Sequence, residues 1–356
     1  MPAVPSDSFV LLTGASGFLA AHIALQLLQR GFRVRGTVRS AAKGDYLTEL
    51  FKREGIAADE VDRRWKYVIV EDVEQEGAFE EAVKGVDAVL HTASPFHFRV
   101  TDPHKDLINP AVQGTLGALR SAAKEAGIKR VVITASFASI VNPHEPVYTF
   151  TEADWNEFSP KEVEKKGKDV DPSQAYRASK TLAEKAAWEF VEKEKPGFDI
   201  ATVNPPLIFG NIVHQCESAD KLNTSVNNFY QFLIGSKSAE DAQAGFGSFV
   251  DVRDVARIHI DALVTPEAGN ERFLVAHSDS SYQPLLDLFF AHAPPALLDA
   301  FPNAQRGTPG APKPKQNVID AGKAKRTFGW TPIEPKDTVI DMAASLAEYQ
   351  KQWEKK

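Results

Sequence analysis

Cysteine is nearly absent from this chain: Cys216 is the single one in 356 residues, which excludes an internal disulfide and any cysteine-built metal cluster and suits a reducing compartment. Positive charge is in deficit too. A net charge of −7 argues against nucleic acid, or an anionic membrane surface, as the main partner. Long apolar runs are missing, because the first one is interrupted by His22, Gln26 and Arg30, and no basic segment precedes it. Neither a secretory signal nor a membrane span is therefore expected, and the expected location is cytoplasmic. Histidines at metal-binding spacing are lacking as well: His91 has no second ligand one helical turn away, so it reads as a core hydrogen-bonding residue and no metal site is expected. No internal repeat is visible.

What is present is the composition of a folded protein. With 43% hydrophobic and 25% charged residues, the chain can build a sizeable core, as two domains or as one large α/β unit with an elaborated second lobe. The organising stretch is Phe9 to Gly31. Phe9-Val10-Leu11-Leu12 reads as a buried strand, Thr13-Gly14-Ala15-Ser16-Gly17 as a sharp turn, and Phe18, Ile23, Leu27 and Leu28 recur at helical spacing. Gly14 permits the turn and a close ligand approach. Gly17 leaves the first helical turn bare, so that N–H groups and the helix dipole can meet a pyrophosphate, and Ala20 lets helix and strand pack closely. The spacing G-x-x-G-x-x-A is one form of a dinucleotide-binding turn and also occurs in ordinary glycine-rich βα turns.

Downstream, strand and helix alternate. Arg33 to Val38 forms a second strand ending at Arg39, Ser40 and Lys43. A site selective for NAD places an acidic residue near this point to hold the ribose 2′-hydroxyl, whereas here Arg35 and Arg39 suit a 2′-phosphate or else form a solvated strand end. A helix over Tyr46 to Glu54 and a strand over Tyr67 to Val70 lead to Asp72 and Val73, where Asp72 either accepts from an adenine amino group or caps the next helix. The fourth strand, Asp87 to His91, runs into the small residues Thr92, Ala93 and Ser94, which would let a cofactor lie across the strand ends. A helix over about Asp106 to Ala126 precedes a fifth strand, Arg130 to Thr134, which ends at Ser136. This pattern predicts a doubly wound, parallel α/β sheet of Rossmann type with ligands at the carboxyl ends of its strands.

A polar, proline-punctuated excursion spans residues 142–174. The helix that follows, Ala175 to about Lys195, carries Tyr176 and Lys180 four residues apart on one face, continued by Ala183 and Ala187. Glu184, Lys185, Glu189, Glu192 and Lys193 read as its wet side. A lysine at the start of a buried stripe is costly without a partner, which singles out the pair. A sixth strand, Ile200 to Val203, enters Asn204-Pro205-Pro206-Leu207, and strict alternation then ceases. The expected organisation is a cofactor-binding domain over 1–204, including the excursion, and a smaller lobe over 205–356 that sends some segments back to the first.

Taken together, the glycine turn, the strand-end serine and Tyr-x-x-x-Lys resemble an extended short-chain dehydrogenase/reductase of the dihydroflavonol-4-reductase-like branch, which includes fungal and yeast aldehyde, ketone and methylglyoxal reductases. Thr13 to Ala20, Val34 to Ser40, Thr134-Ala135-Ser136, Tyr176 with Lys180, Asn204-Pro205-Pro206, Phe249 to Ala256 and Phe328-Gly329-Trp330 carry the resemblance, across nearly the whole length. Ala135 departs from the serine common in the family and touches only the neighbour of Ser136. The resemblance implies NADPH-dependent reduction of a small-molecule carbonyl, with Ser136 holding the oxygen, Tyr176 giving the proton, and Lys180 favouring the phenolate and positioning the nicotinamide ribose. It also implies cofactor contacts from Gly14, Ala15, Ser16, Gly17, Phe18, Leu19, Arg39, Lys43, Asp72, Val73, Pro205, Pro206 and Leu207, with NADPH/NADP+ as the cofactor. Phe96, Phe98, Phe137, Pro206, Leu222 and Phe246 are candidates for an apolar substrate pocket, and Asp251 and Arg253 for a structural helix cap. A sugar-nucleotide epimerase or dehydratase would want an acidic residue where Arg39 stands. A noncatalytic NADPH-binding regulator would tolerate loss of Ser136, Tyr176 or Lys180, and all three are present.

Overall fold

The computed structural model describes residues 4–5, 7–94, 100–145, 147–312 and 314–355. Its first half runs β1 (Phe9–Thr13), α1 (Phe18–Gln29), β2 (Arg33–Val38), α2 (Ala41–Arg53), α3 (Ala58–Arg64), β3 (Trp65–Ile69), α4 (Glu80–Val83), β4 (Ala88–His91), α5 (Asn109–Ala123) and β5 (Arg130–Thr134). The excursion holds β6 (Thr149–Phe150) and α6 (Phe158–Lys166), and is followed by α7 (Pro172–Glu194) and β7 (Asp199–Asn204). Beyond it come β8 (Leu207–Phe209), α8 (Thr224–Leu233), α9 (Ala239–Gln243), β9 (Gly245–Asp251), α10 (Val252–Val264), β10 (Glu271–Leu274) and β11 (Ser278–Ser281). The chain closes with α11 (Tyr282–His292), α12 (Pro295–Ala300), β12 (Val318–Ile319), α13 (Gly322–Phe328) and α14 (Pro335–Trp353).

Seven strands form one parallel sheet in the order β10-β7-β5-β4-β1-β2-β3. Alternate residues of its apolar strands feed the two layers of the main core. Val10, Leu12, Val34, Leu90, Val132 and Val203 pack with α1, α2 and α10 on one face, whereas Leu11, Val89, Val131 and Ile200 pack with α4, α5 and α7 on the other. Burial on both faces explains why these strands read as continuous apolar runs. The chain leaves β1 in one direction and β4 in the other, so a crevice opens above the carboxyl ends of those two strands.

Several boundaries differ from the sequence reading. The helix expected from Tyr46 begins at Ala41, and the additional helix α3 precedes β3. The helix expected over Asp106 to Ala126 is a π turn, His104–Ile108, followed by α5. Pro110 lacks the N–H that would continue α-helical bonding backwards, and the turn before it widens.

A second core gathers Phe229, Phe232, Leu286, Phe289, Met342 and Leu346 around α8, α11 and α14, beneath a small sheet of order β11-β9-β8. Two segments after residue 204 nevertheless belong to the large sheet: β10 forms its edge and α10 covers its face. Arg130, fully buried at the start of β5, fastens them. It pairs with Asp199 at 2.6 Å and donates to the carbonyls of Ala262 and Thr265 at 2.8 and 2.6 Å. Asp251 caps α10, its Oδ1 accepting from Arg253 N at 2.8 Å, and also accepts from Thr338 Oγ1 of α14. That is the structural role expected of Asp251.

Candidate active site

At the β1–α1 turn Gly14 has φ +66°, and a Cβ there would lie 3.1 Å from Ala93 Cα, so the first turn needs glycine for conformation and for space. Gly14 N donates to Thr37 Oγ1 and Ala15 N to Thr37 O, both at 2.9 Å, which ties the turn to β2. Gly17 caps α1 without a side chain, and among the described residues no side-chain cap closes the first turn. Ser16 and Gly17 reach solvent, whereas Ala15 and Leu19 are buried and can offer only main-chain groups. A bare helix N-terminus behind a glycine turn at the sheet's switch point is a cradle that a pyrophosphate fits. Thr13 Oγ1 accepts from the amides of Thr92 and Ala93 at 3.0 and 3.1 Å, so β4 ends against the same turn with Thr92, Ala93 and Ser94 half-buried around it.

At the end of β2, Arg39 is exposed and Lys43 half-buried. Arg35 is otherwise engaged. Its guanidinium donates to the carbonyls of Ala82 and Lys84 at 2.8 and 2.7 Å and lies 4.7 Å from the Phe9 ring centroid, which removes it as a reader of a 2′-phosphate. Asp72 is exposed and accepts from Glu74 N at 2.8 Å, so it caps a turn rather than a helix, and Val73 beside it is half-buried against Gly114.

Ser136 stands just beyond β5, where it caps a short 3-10 turn by accepting from Ala138 N at 3.1 Å. Its hydroxyl is also hydrogen-bonded to the phenol of Tyr176. One turn along α7, Lys180 Nζ lies 5.8 Å from the Tyr176 ring centroid and donates to Ser94 Oγ at 2.7 Å. Two strand ends, those of β4 and β5, and one helix thus bring Ser136, Tyr176, Lys180 and Ser94 together. Burial pushes the Tyr176 phenol up to about 12, with the Ser136 hydrogen bond opposing, and pushes Lys180 down to about 8. Desolvation is the larger of the two influences on the Tyr176 phenol, and at neutral pH it keeps its proton. His91, behind Lys180, hydrogen-bonds Thr13 Oγ1 through Nδ1 at 3.0 Å, and burial holds it neutral.

Glu184 corrects the sequence reading. Assigned to the wet side of α7, it is only 2% exposed and accepts from Arg272 Nε at 2.7 Å, Asn204 Nδ2 at 2.8 Å, Thr202 Oγ1 at 3.1 Å and Ser139 Oγ. The helical spacing of Tyr176, Lys180 and Glu184 does place all three on one face; the carboxylate concealed it. Ser139, Asn156 and Arg272 have no marker in the sequence pattern either, because each acts here through partners distant in the chain. The excursion backs the Ser136 turn through Asn156, whose N and Nδ2 donate to the carbonyls of Ser139 and Ala138, each at 2.8 Å.

Pro205 is buried beside this turn, its carbonyl accepting from Phe137 N at 2.9 Å, and Pro206 and Leu207 are half-buried after it. Phe137 packs edge-on against Phe150 at 5.2 Å. Phe246 meets Tyr282 at 4.7 Å and Phe209 at 5.7 Å in the second core, which also contains Leu222. Phe18 packs against both large cores. Phe96 and Phe98 lie outside the described residues.

Comparison with known proteins agrees with the fold. The model of the NAD dependent epimerase/dehydratase family matches residues 10–276. A putative NADPH-dependent methylglyoxal reductase of Candida albicans is 38% identical over 96% of this chain and 99% of its own. A ketoreductase of Aspergillus niger is 36% identical over 95% and 97%. The crystal structure of yeast methylglyoxal/isovaleraldehyde reductase complexed with NADPH superposes with a TM-score of 0.81 at 31% identity, covering 97% of this chain and 99% of that one.

Proposed function

The chain belongs to the NAD dependent epimerase/dehydratase family, and from that premise we propose that it reduces aldehydes or ketones to alcohols with NADPH, using Ser136, Tyr176 and Lys180. The observation that carries this reading is the hydrogen-bonded pair of Ser136 and Tyr176 with the Lys180 ammonium one turn away, beside a dinucleotide cradle. The full-length relatives at more than 30% identity that bear reductase names support it, as does Arg39 at the position where an NAD-binding site would carry a carboxylate.

Bound in the cradle, the nicotinamide cofactor supplies a hydride to the substrate's carbonyl carbon. The chain's own groups act on the oxygen. As negative charge grows there, the Ser136 hydroxyl donates a hydrogen bond that is stronger in the transition state than to the neutral carbonyl. Tyr176 Oη then transfers its proton to the same oxygen. A phenol held protonated to about 12 is in the correct state for this step throughout the neutral range. Lys180 lies close enough to stabilise the phenolate left behind, and beside Ser94 it would hold the nicotinamide ribose. Gly14 to Leu19 would hold the pyrophosphate through main-chain amides and Arg39 with Lys43 the 2′-phosphate. Asp72 and Val73 would border the adenine, and Pro205 to Leu207 the nicotinamide.

The direct test is to follow NADPH absorbance with the purified protein and a panel of aldehydes, diketones and aryl ketones. Consumption of NADPH with stoichiometric alcohol is expected. Tight binding of NADPH without turnover on any member of the panel would contradict the reading and favour a regulatory binding protein.

A further inference from the structure

The buried network behind Ser136 contains a carboxylate that the reaction just described does not use. Glu184 lies four residues beyond Lys180 and eight beyond Tyr176, so it belongs rigidly to the helix that carries both. Its two oxygens are fully committed: Oε1 receives Arg272 Nε and Thr202 Oγ1, and Oε2 receives Asn204 Nδ2 and Ser139 Oγ. Asn204 Nδ2, with two hydrogens, also reaches the carbonyl oxygen of Ser136 at 3.3 Å, and Ser139 Oγ, which lies 2.7 Å from that carbonyl, shares its single proton between it and Glu184. One carboxylate on α7 is thereby two hydrogen bonds away from the backbone of the serine. Arg272 in turn donates to the carbonyls of Glu152 and Asp154, and its guanidinium stacks on Trp155 at 3.7 Å, so the excursion is fastened to the same point.

A buried ion pair is weak support for stability, since well-packed apolar side chains of similar volume serve as well. What directional bonds to both oxygens do supply is a fixed distance. Ser136 and Tyr176 come from different elements, β5 and α7, and must address one substrate oxygen. Resting on the reductase reading, we propose that Glu184 is a positioning residue, which sets the separation of Ser136 from Tyr176 and Lys180 through Ser139 and Asn204. In Glu184→Gln one of the two acceptor oxygens becomes an amide donor facing groups that themselves donate, which loosens the tie between the Ser136 turn and α7.

The test compares Glu184→Gln and the milder Ser139→Ala, which removes the link while leaving the buried charges paired. Turnover is expressed per NADPH-binding site by fluorescence titration, so that loss of folded protein does not register. For Glu184→Gln kcat is expected to fall about 10- to 100-fold, as for a reacting group displaced by a fraction of an ångström to an ångström, with KM and NADPH affinity within about two-fold of the parent. Ser139→Ala is expected to fall several-fold in the same direction, and it decides the matter alone should Glu184→Gln not fold. In protein carrying 13Cζ-tyrosine, the Tyr176 resonance, identified by its loss in Tyr176→Phe, is expected to move in Ser139→Ala because the Ser136 hydrogen bond is altered. An active parent whose variants keep kcat per site and leave that resonance unmoved would overturn the positioning role. An inactive parent with a shifted resonance would instead sink the reductase reading and support the coupling.

Discussion

At the scale of single residues, the site is a set of groups whose ordinary solution behaviour has been altered by burial. Arg39, by contrast, stays exposed, its guanidinium open to a ligand. A 2′-phosphate carries nearly two negative charges, and a planar guanidinium can meet it with paired, charge-assisted hydrogen bonds that a ribose hydroxyl cannot return. Such bonds contribute about 1.5–3 kcal/mol, which corresponds to a preference for NADPH on the order of 10- to 100-fold. Arg39→Asp is expected to weaken NADPH sharply while NADH is held or improved, and the parent's preference is expected to shrink with added salt. The ratio of kcat/KM for the two cofactors, on parent and variant, checks this. An unchanged ratio would move the phosphate reader to Lys43, because Arg35 is held by the carbonyls of Ala82 and Lys84.

At the scale of elements, strands that are apolar on both faces and a helix whose functional side chains recur every four residues were legible in the sequence. Their period is set by backbone geometry alone. The Rossmann-type sheet and the pairing of Tyr176 with Lys180 followed from that, whereas Ser136 was joined to them by the family resemblance. The burial of Glu184 was not legible, because a carboxylate becomes a core residue only when Arg272, 88 positions away, arrives to neutralise it. Nor was the demand on Gly36. It lies inside β2, and a Cβ there would approach Trp65 to 2.3 Å and Ala15 Cβ to 2.7 Å, wedging the cofactor turn away from its strand. Gly36→Ala is therefore expected to cost about 1–3 kcal/mol of stability, as overpacking does, and to weaken NADPH binding with it. Chemical denaturation together with NADPH titration checks this pairing; a fully stable variant with parental affinity would show that β3 yields freely.

At the scale of the whole molecule, two cores share the chain, and buried histidines are distributed through them. Burial holds His22, His91 and His259 down to about 4 and His214 to about 3. In the unfolded chain these imidazoles take protons near 6.5, so between that value and the folded ones the unfolded state binds more protons and stability rises with pH. Their contribution is complete above about 6.5 and is lost as pH falls toward 4. The urea midpoint is expected to drop markedly between pH 7.5 and 5.0, and an unchanged midpoint would mean that these rings are solvated. One step carries most of the proposed function: proton transfer from the buried phenol of Tyr176, held beside Ser136 by α7 and the end of β5. Single-turnover reduction of a carbonyl substrate by Tyr176→Phe saturated with NADPH isolates that step. NADPH affinity is expected to be unchanged and the rate to be lowered about 10²- to 10⁴-fold, as for a lost general acid. A rate within a few-fold of the parent, on the same bound NADPH, would contradict that role of Tyr176.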